Sequence, residues 1–244
     1  MIRTGYHNVG SKDAGGWFIV DKAPPSIKEE MKEKANLLKY DMYANQPFEN
    51  HSLSYINKQF KTTYSDQFLE YVKGLILKYE EEIREDYALK ISTYDFNKLE
   101  TIPEVNSPWY TGEKGGWVTM QNRFEFEHPH RGYSLFNFMY WADVPYSAAD
   151  KKNTSPNIYN SQQGLGQDYV VTPNNRGLIT STATHKTPAI SLEHLDLETS
   201  KHSEGYICIL PPYLYRGSTP FYSTEEYKIV YRGELGVKKP ITLI

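Results

Sequence analysis

Two segments near the start of the chain repeat apolar residues at helical spacing, and the rest of the chain does not. "SDQFLEYVKGLILKYEEEI", beginning at Ser65, sets Phe68, Tyr71, Val72, Leu75, Ile76, Tyr79 and Ile83 three or four residues apart. That spacing predicts an amphipathic helix packed on one side, with Lys73, Lys78, Glu80 and Glu81 mostly outside. "PPSIKEEMKEKANLL" predicts another helix: Ser26 and Glu29 stand at capping-box spacing, with Pro25 just before the cap. Both helices belong to the first 90 residues. Beyond them the pattern changes. "GGWVTMQNRF", "YSLFNFMYWADVP", "DYVVTP", "RGLITSTAT", "PAISLEHLDL", "GYICILPP" and "EYKIVYRGEL" are short runs rich in β-branched and aromatic residues, separated by Gly, Pro, Asn and Ser. They predict strands. Helices first and strands after predict an α+β fold, with the helices buttressing one face of a β-sandwich or barrel. The expected organisation is a single domain over residues 1–244. Residues 1–100 form an N-terminal extension with the buttressing helices, and residues 101–244 form the barrel. A polar, turn-rich run from Lys151 to Asn175 marks a long surface excursion at about residues 147–176.

Composition narrows this picture. The chain has 244 residues, 39% of them hydrophobic, with 21 Tyr, 10 Phe and 4 Trp, enough for a real core. Net charge is −3 and the basic residues are scattered, which argues against a nucleic-acid partner. The single cysteine, Cys208, excludes an intrachain disulfide and a four-cysteine metal site. Its setting in "GYICILPP" predicts a buried strand thiol with no chemistry of its own. "MIRTGYHNVGSKDAGGW" lacks the apolar core of a signal peptide, and no segment approaches membrane-span length. The expectation is a soluble protein made in a cytoplasm, with no membrane partner. Asn50-His51-Ser52 and Asn153-Thr154-Ser155 are then chance matches to the glycosylation pattern.

Candidate chemistry concentrates at "FEFEHPHRGYSLFNFMYWADVP", residues 124 to 145, where His128 and His130 bracket Pro129. Alternate residues of a strand face one side, so a His-x-His can begin a metal site. Further ligands would come from His185, His194 and His202, or from Asp196, which shares a strand face with His194 in "SLEHLDLE". The plainer reading has the two imidazoles capping the strand start, with Pro129 holding a turn. Other chemistry is thinner. There is no G-x-S-x-G elbow and no phosphate-cradling glycine loop, and "GLGQ" at Gly164 is too short and isolated to be one. "KYEEEIREDY" reads as the solvated end of a helix. The many tyrosines of "PPYLYRG" and "PFYSTEEYKIVYR" suit a buried core or a protein interface.

The order of three pieces resembles a known family. The Ser65 to Ile83 helix, "WVTMQNRFEFEHPHRGYSLFNFMYWADVPYS" and "EGYICILPPYLYRGSTPFYSTEEYKIVYRGEL" look like the 2-oxoglutarate/iron(II)-dependent oxygenases encoded by marine tailed phages. The likeness covers roughly residues 50 to 236. It implies a double-stranded β-helix, a jelly-roll barrel. An iron would sit at its mouth on a His-x-acid or His-x-His pair and a distal His, and a late-strand basic residue would pair with the cosubstrate. Without gaps the first ligand falls on His130 and the second on Gly132; sliding two residues pairs His128 with His130. The distal ligand falls on Arg216 and the cosubstrate cation on Lys228. A guanidinium has five donors and no lone pair, so Arg216 cannot ligate a cation.

From this the expectation is a non-catalytic protein of the oxygenase fold with no catalytic residues and no cofactor. It expects no metal either, or at most one on His128 and His130, and a cosubstrate-pocket remnant at Arg216 and Lys228. The resemblance implies a virion structural or assembly component, oligomeric, made in the host cytoplasm and partnered by other virion or assembly proteins. The alternative is an active dioxygenase using Fe(II) and 2-oxoglutarate, with His128, His130 and a third ligand from the Asp168 to His202 region. A third reading is a module binding a small ligand or glycan. In the parent geometry Arg216 and Lys228 point inward together, so an anion must face them unless one or both side chains turn outward to solvent. The candidates are Glu127, Glu204 or Glu226, a bound anion, or a carboxylate from a partner chain.

Overall fold

The computed structural model describes residues 18–45, 54–56, 58–84, 94–101, 115–130, 132, 134–147, 168–172, 193–197, 199–212 and 214–237. The predicted helices are present. α1 spans Pro25–Asn45, so Pro25 is its first residue and Ser26 lies inside the first turn instead of capping it. Proline suits that place because its fixed φ is helical and its missing N–H would have had no partner there. The Ser26 hydroxyl instead accepts from Gln67 Nε2 at 3.0 Å. α2 spans Asp66–Lys78 and is capped as its sequence predicts, with the Ser65 hydroxyl accepting from the Phe68 amide at 3.1 Å. After Tyr79 the chain turns into the short α3, Glu80–Arg84.

Twelve strands lie among the described residues, and all but one of their pairings are antiparallel. β1 is Ile19–Lys22, β2 Ser54–Tyr55, β3 Gln59–Thr63, β4 Leu99–Thr101, β5 Gly115–Gln121 and β6 Glu125–His130. β7 is Phe136–Asp143, β8 Asp168–Thr172, β9 Glu193–Leu197, β10 Tyr206–Leu210, β11 Tyr215–Ser218 and β12 Lys228–Val237. One sheet runs β1-β10-β7-β12-β5-β3, with β4 also on β12; the other runs β2-β6-β11-β8-β9. Residues from the first hundred therefore supply sheet strands as well as helices. β8, inside the stretch expected as an excursion, pairs on both sides with β11 and β9. The expected strand "RGLITSTAT" lies outside the described residues.

The larger sheet has two different faces. On β12, Ile229, Tyr231 and Leu235 join a cluster containing Phe68, Val72, Leu75, Met31 and Ala35 from the helices. On β5 and β7 the residues of that face are Val118, Met120, Phe136, Phe138 and Tyr140. The alternate residues Met139, Trp141, Cys208 and Val230 join Leu214 and Phe221 in a second cluster, toward the smaller sheet. Period-two alternation sorts the side chains this way. The helix side is sealed by aromatic contacts: Tyr64 stacks on Phe68 with centroids 4.8 Å apart, and its hydroxyl donates to the Arg232 carbonyl at 2.6 Å. Gly116 permits that approach, since a Cβ there would stand 2.4 Å from the Tyr64 ring and 2.3 Å from the Arg232 carbonyl.

The chain crosses from the larger to the smaller sheet at Asn122–Phe124, where Phe124 takes φ 66°. A non-glycine residue rarely adopts that region, and it is held here by side chains. Gln121 Nε2 donates to the Glu125 carbonyl at 2.7 Å, the Asn122 amide donates to Glu125 Oε2 at 2.7 Å, and Phe124 meets Tyr222 edge to face at 5.1 Å. The crossing delivers β6 to the smaller sheet, with Glu125 buried against Lys58 Nζ at 3.0 Å.

Candidate functional site

The strand carrying the two histidines pairs directly with the strand carrying Arg216. Residues 128 and 130 lie within β6, not in a turn ahead of it. In the ladder between β6 and β11, Ser218 stands opposite Glu127 and Arg216 opposite His130. Three residue steps on β6 face two on β11, so the strand bulges between these pairs. A bulge resets the alternation, which is how Glu127 and position 130 can both register with inward residues of β11. The side chains of His128 and His130 lie outside the described part of the molecule.

The Arg216 side chain turns inward and is 1% exposed. Its guanidinium senses Arg232 and Glu234 of β12, Glu127 of β6 and Cys208 of β10. Burial first, and Arg232 second, pull its pKa down to about 10, while Glu234 and Glu127 oppose the shift. Arg232 is also 1% exposed, and its Nη2 stands 2.6 Å from Glu127 Oε2. That contact is one of charge, since Glu127 Oε2 lies off the line of an N–H. The result is a two-arginine, two-glutamate group spanning both sheets. Nε and Nη1 of Arg216, and Nε and Nη1 of Arg232, are buried and donate to nothing.

The position that the resemblance assigns to a second metal ligand is filled. Gly132 packs against the buried Asn137 side chain so closely that a Cβ there would stand 2.0 Å from Asn137 Oδ1. Asn137 is in turn the register partner of Glu234. A liganding side chain at 132 would have to displace this amide, and the third position holds a guanidinium beside a second one. The described residues do not fit an iron here: cationic donors occupy the place where a cation needs lone pairs. No group of three His, Cys, Asp or Glu suited to a metal occurs among the described residues.

The other predicted residues are dispersed. Lys228 is fully buried on the same face of β12 as Arg232, but four residues away, about 13 Å along a strand. The cation beside Arg216 is therefore Arg232. Of the candidate carboxylates, only Glu127 reaches the group. Glu204 accepts from the Val144 amide at 3.2 Å and pairs with Lys32 at 3.5 Å, while Glu226 is exposed and pairs with Lys39 at 3.6 Å. His194 and Asp196 register with Val171 and Tyr169, at alternate positions to the row of Arg216, Val170 and Leu195. His202 is exposed in a 3₁₀ turn, and His185 lies outside the described residues. Cys208 is a buried thiol outside any disulfide, as its sequence setting predicts. Arg232 and Glu234 were missed by sequence reasoning, yet alternation from Lys228 through "KIVYRGE" places both on the Lys228 face.

No family model and no curated protein matches the chain. Among solved structures it is similar to a Pseudomonas putida prolyl-4-hydroxylase, at 9% identity and TM-score 0.48, covering 91% of this chain and 93% of that one. It is also similar to HygX from Streptomyces hygroscopicus, solved with nickel and 2-oxoglutarate bound, at 11% identity and TM-score 0.45, covering 91% and 82%. A third is the non-heme alpha ketoglutarate dependent epimerase SnoN from nogalamycin biosynthesis, at 8% identity and TM-score 0.43, covering 90% and 76%. No helix among the described residues is long and apolar enough to cross a membrane.

Proposed function

We propose that this chain is a double-stranded β-helix protein of the oxygenase type that does not run iron chemistry, and that it serves as a virion structural or assembly component. The strand order supports the fold. From β5 to β12 the strands distribute as β10-β7-β12-β5 in one sheet and β6-β11-β8-β9 in the other, the two-sheet plan of a jelly roll. The single observation behind the absence of iron chemistry is Arg216. It is buried, it stands across the ladder from position 130, and a second guanidinium lies beside it. The virion role comes from the sequence resemblance alone, and fold by itself does not fix function.

Two measurements test the two halves. Anaerobic loading with Fe²⁺ followed by elemental analysis and a succinate-release assay with 2-oxoglutarate should give neither stoichiometric iron nor turnover. Turnover that disappears in His130→Ala would restore the dioxygenase reading. Purified particles of the encoding virus should contain the chain as a retained component; its recovery only in the free-protein fraction would remove the virion role.

A further inference from the structure

Three stripes run along α1, and the fold uses two of them. Ile27, Met31, Ala35 and Met42 turn inward and join the core over the larger sheet. The lysines fasten the helix. Lys32 Nζ stands 3.5 Å from Glu204, and Lys39 Nζ stands 2.7 Å from Asp143 and 3.6 Å from Glu226. Lys34 Nζ turns to Glu30 at 2.9 Å and to the Thr63 carbonyl at 3.3 Å. The third stripe faces solvent. At helical spacing it carries Glu29, Glu33, Asn36, Leu37, Tyr40 and Asp41, all exposed. Leu37 is 63% and Tyr40 75% exposed, and these are the large apolar side chains that the described residues leave in water. A lone exposed leucine needs no explanation. Two large apolar side chains one turn apart, among acidic neighbours and away from the helix's own lysines, describe a partner that brings apolar groups and cations together.

The sequence holds such a run just after β12: Lys238 and Lys239, then Pro240, Ile241, Thr242, Leu243 and Ile244. For those lysines, α1 of the same chain is out of reach. Both clamps of α1 close on one end of the larger sheet, at Asp143 and at Glu204, which accepts from the Val144 amide. Asp143 registers with Ile229, and Val237 lies at the other end of β12, roughly 27 Å along the strand. Lys238 and Lys239 follow Val237 directly, so they cannot return to Glu29 and Glu33 of their own chain, whereas those of a second copy can.

We propose that the outward face of α1 is an interface between copies of this chain, and that it takes residues 238–244 of a second copy. Ile241 and Leu243, which fall on one side of an extended segment, cover Leu37 and Tyr40. Lys238 and Lys239 face Glu29 and Glu33. The two patches differ, so the contact closes as a reciprocal pair or continues as a ring or open chain. It needs neither iron nor its absence, and it stands whether or not the chain is a virion component.

Sedimentation velocity and light scattering on the full chain test this. At about 100 μM, where a micromolar contact is filled, wild type should run as more than one chain. Dilution and added NaCl should return it toward monomer. Deleting residues 238–244 should leave a monomer, and Leu37→Ser with Tyr40→Ser should do the same. Glu29→Lys with Glu33→Lys, and separately Lys238→Glu with Lys239→Glu, should each weaken association by about tenfold or more. The four reversals in one chain should restore it, a rescue that a merely destabilised fold would not give. Tm and far-UV circular dichroism check the folding of each variant. An N-acetylated KKPITLI peptide should bind the deletion variant, and should not bind once Leu37→Ser and Tyr40→Ser are added to it. A wild type that stays monomeric would overturn the proposal; if the peptide still bound the deletion variant, the run would belong on α1 of its own chain. Association that survives the deletion would also overturn it, and its loss in the serine variant would then give the face to a different segment. So would charge reversals that fail to rescue one another.

Discussion

The two faces of the larger sheet are built from the same strands and have opposite characters. Toward α1 and α2, β5, β7 and β12 present Val118, Met120, Phe136, Phe138, Tyr140, Ile229 and Tyr231, and the helices close over them with Phe68, Val72 and Leu75. Toward the smaller sheet, one residue along in each case, stand Thr119, Asn137, Lys228, Arg232 and Glu234, all buried. The helix side obeys every rule of a stable core. The inner side sets unmatched donors on Arg216, Arg232 and Asn137 beside the apolar cluster of Met139, Trp141 and Val230. A protein that stabilises itself on one face is free to carry a strained polar group on the other, and such local violations gather where function is.

Mutation should separate the faces, and the largest effects belong to the helix side. Phe68→Ala removes a fully buried ring that contacts Tyr64, Phe138 and Tyr140. It should cost about 3–5 kcal/mol in denaturant unfolding, and Leu75→Ala about 2–5 kcal/mol. A loss below about 0.5 kcal/mol at either residue would show that this face is not the packed core.

On the inner face the sign should depend on which partner goes. Glu127→Ala takes the carboxylate from Arg232 and should destabilise by about 3–5 kcal/mol, because a buried charge loses its counterion. Arg216→Leu removes a buried charge whose Nε and Nη1 have no hydrogen-bond partner and should be neutral, or stabilising by about 1–4 kcal/mol. Equal losses in the two variants would mean that Arg216 is satisfied by groups other than those proposed.

The pH dependence of stability reads the helix side again. Tyr64, Tyr71, Tyr140 and Tyr231 hold their hydroxyl protons more tightly than free tyrosine, chiefly because burial penalises the phenolate. Their folded pKa values are raised, so their contribution is intact below pH ~10 and is lost as the unfolded chain begins to ionise. Arg216 acts in the opposite direction. Its folded pKa of about 10 lies below its unfolded value, so the folded chain sheds that proton first and stability gains with pH above 10. Four tyrosines against one arginine predict a net fall in stability above pH ~10 in urea titrations across pH. In Arg216→Leu that fall should be steeper, since the opposing contribution is gone.

The smallest expected effect is local. Ser65→Ala removes the cap of α2 and should cost about 1 kcal/mol, unless the Glu30 carboxylate that receives the Ser65 hydroxyl takes over the exposed amides.

What the sequence disclosed follows the same division. The helix face was legible because its apolar residues repeat at fixed spacing: Phe68, Val72 and Leu75 lie where periodicity puts them. β5, β7, β8, β9, β10 and β12 were legible for a similar reason, whereas β6 and β11, which carry position 130 and Arg216, were not among the expected strands. β1, β3 and β4 were not, because they are short or polar and hydrogen bonding to longer neighbours makes them strands. β3, with the sequence QFKTT, has little apolar character and is fixed by its ladder to β5. The site was half legible. Arg216 could be singled out by its position and its lack of a lone pair, but its neighbours could not. Lys228 was the expected companion, and the twist and register of β12 bring Arg232 there instead. The bulge that sets Glu127 and position 130 against β11 has no signature beyond Pro129, and the filling of the Gly132 position by Asn137 is a tertiary contact that no local pattern announces.

The claim that matters most is the proposal that buried guanidinium groups between the two sheets leave no place for a metal. Iron content answers it directly when wild type and Arg216→His are loaded anaerobically with Fe²⁺ side by side, desalted and analysed. The account predicts no stoichiometric iron in the wild type, with any gain confined to the histidine variant. One iron per wild-type chain, lost on His130→Ala, would contradict it.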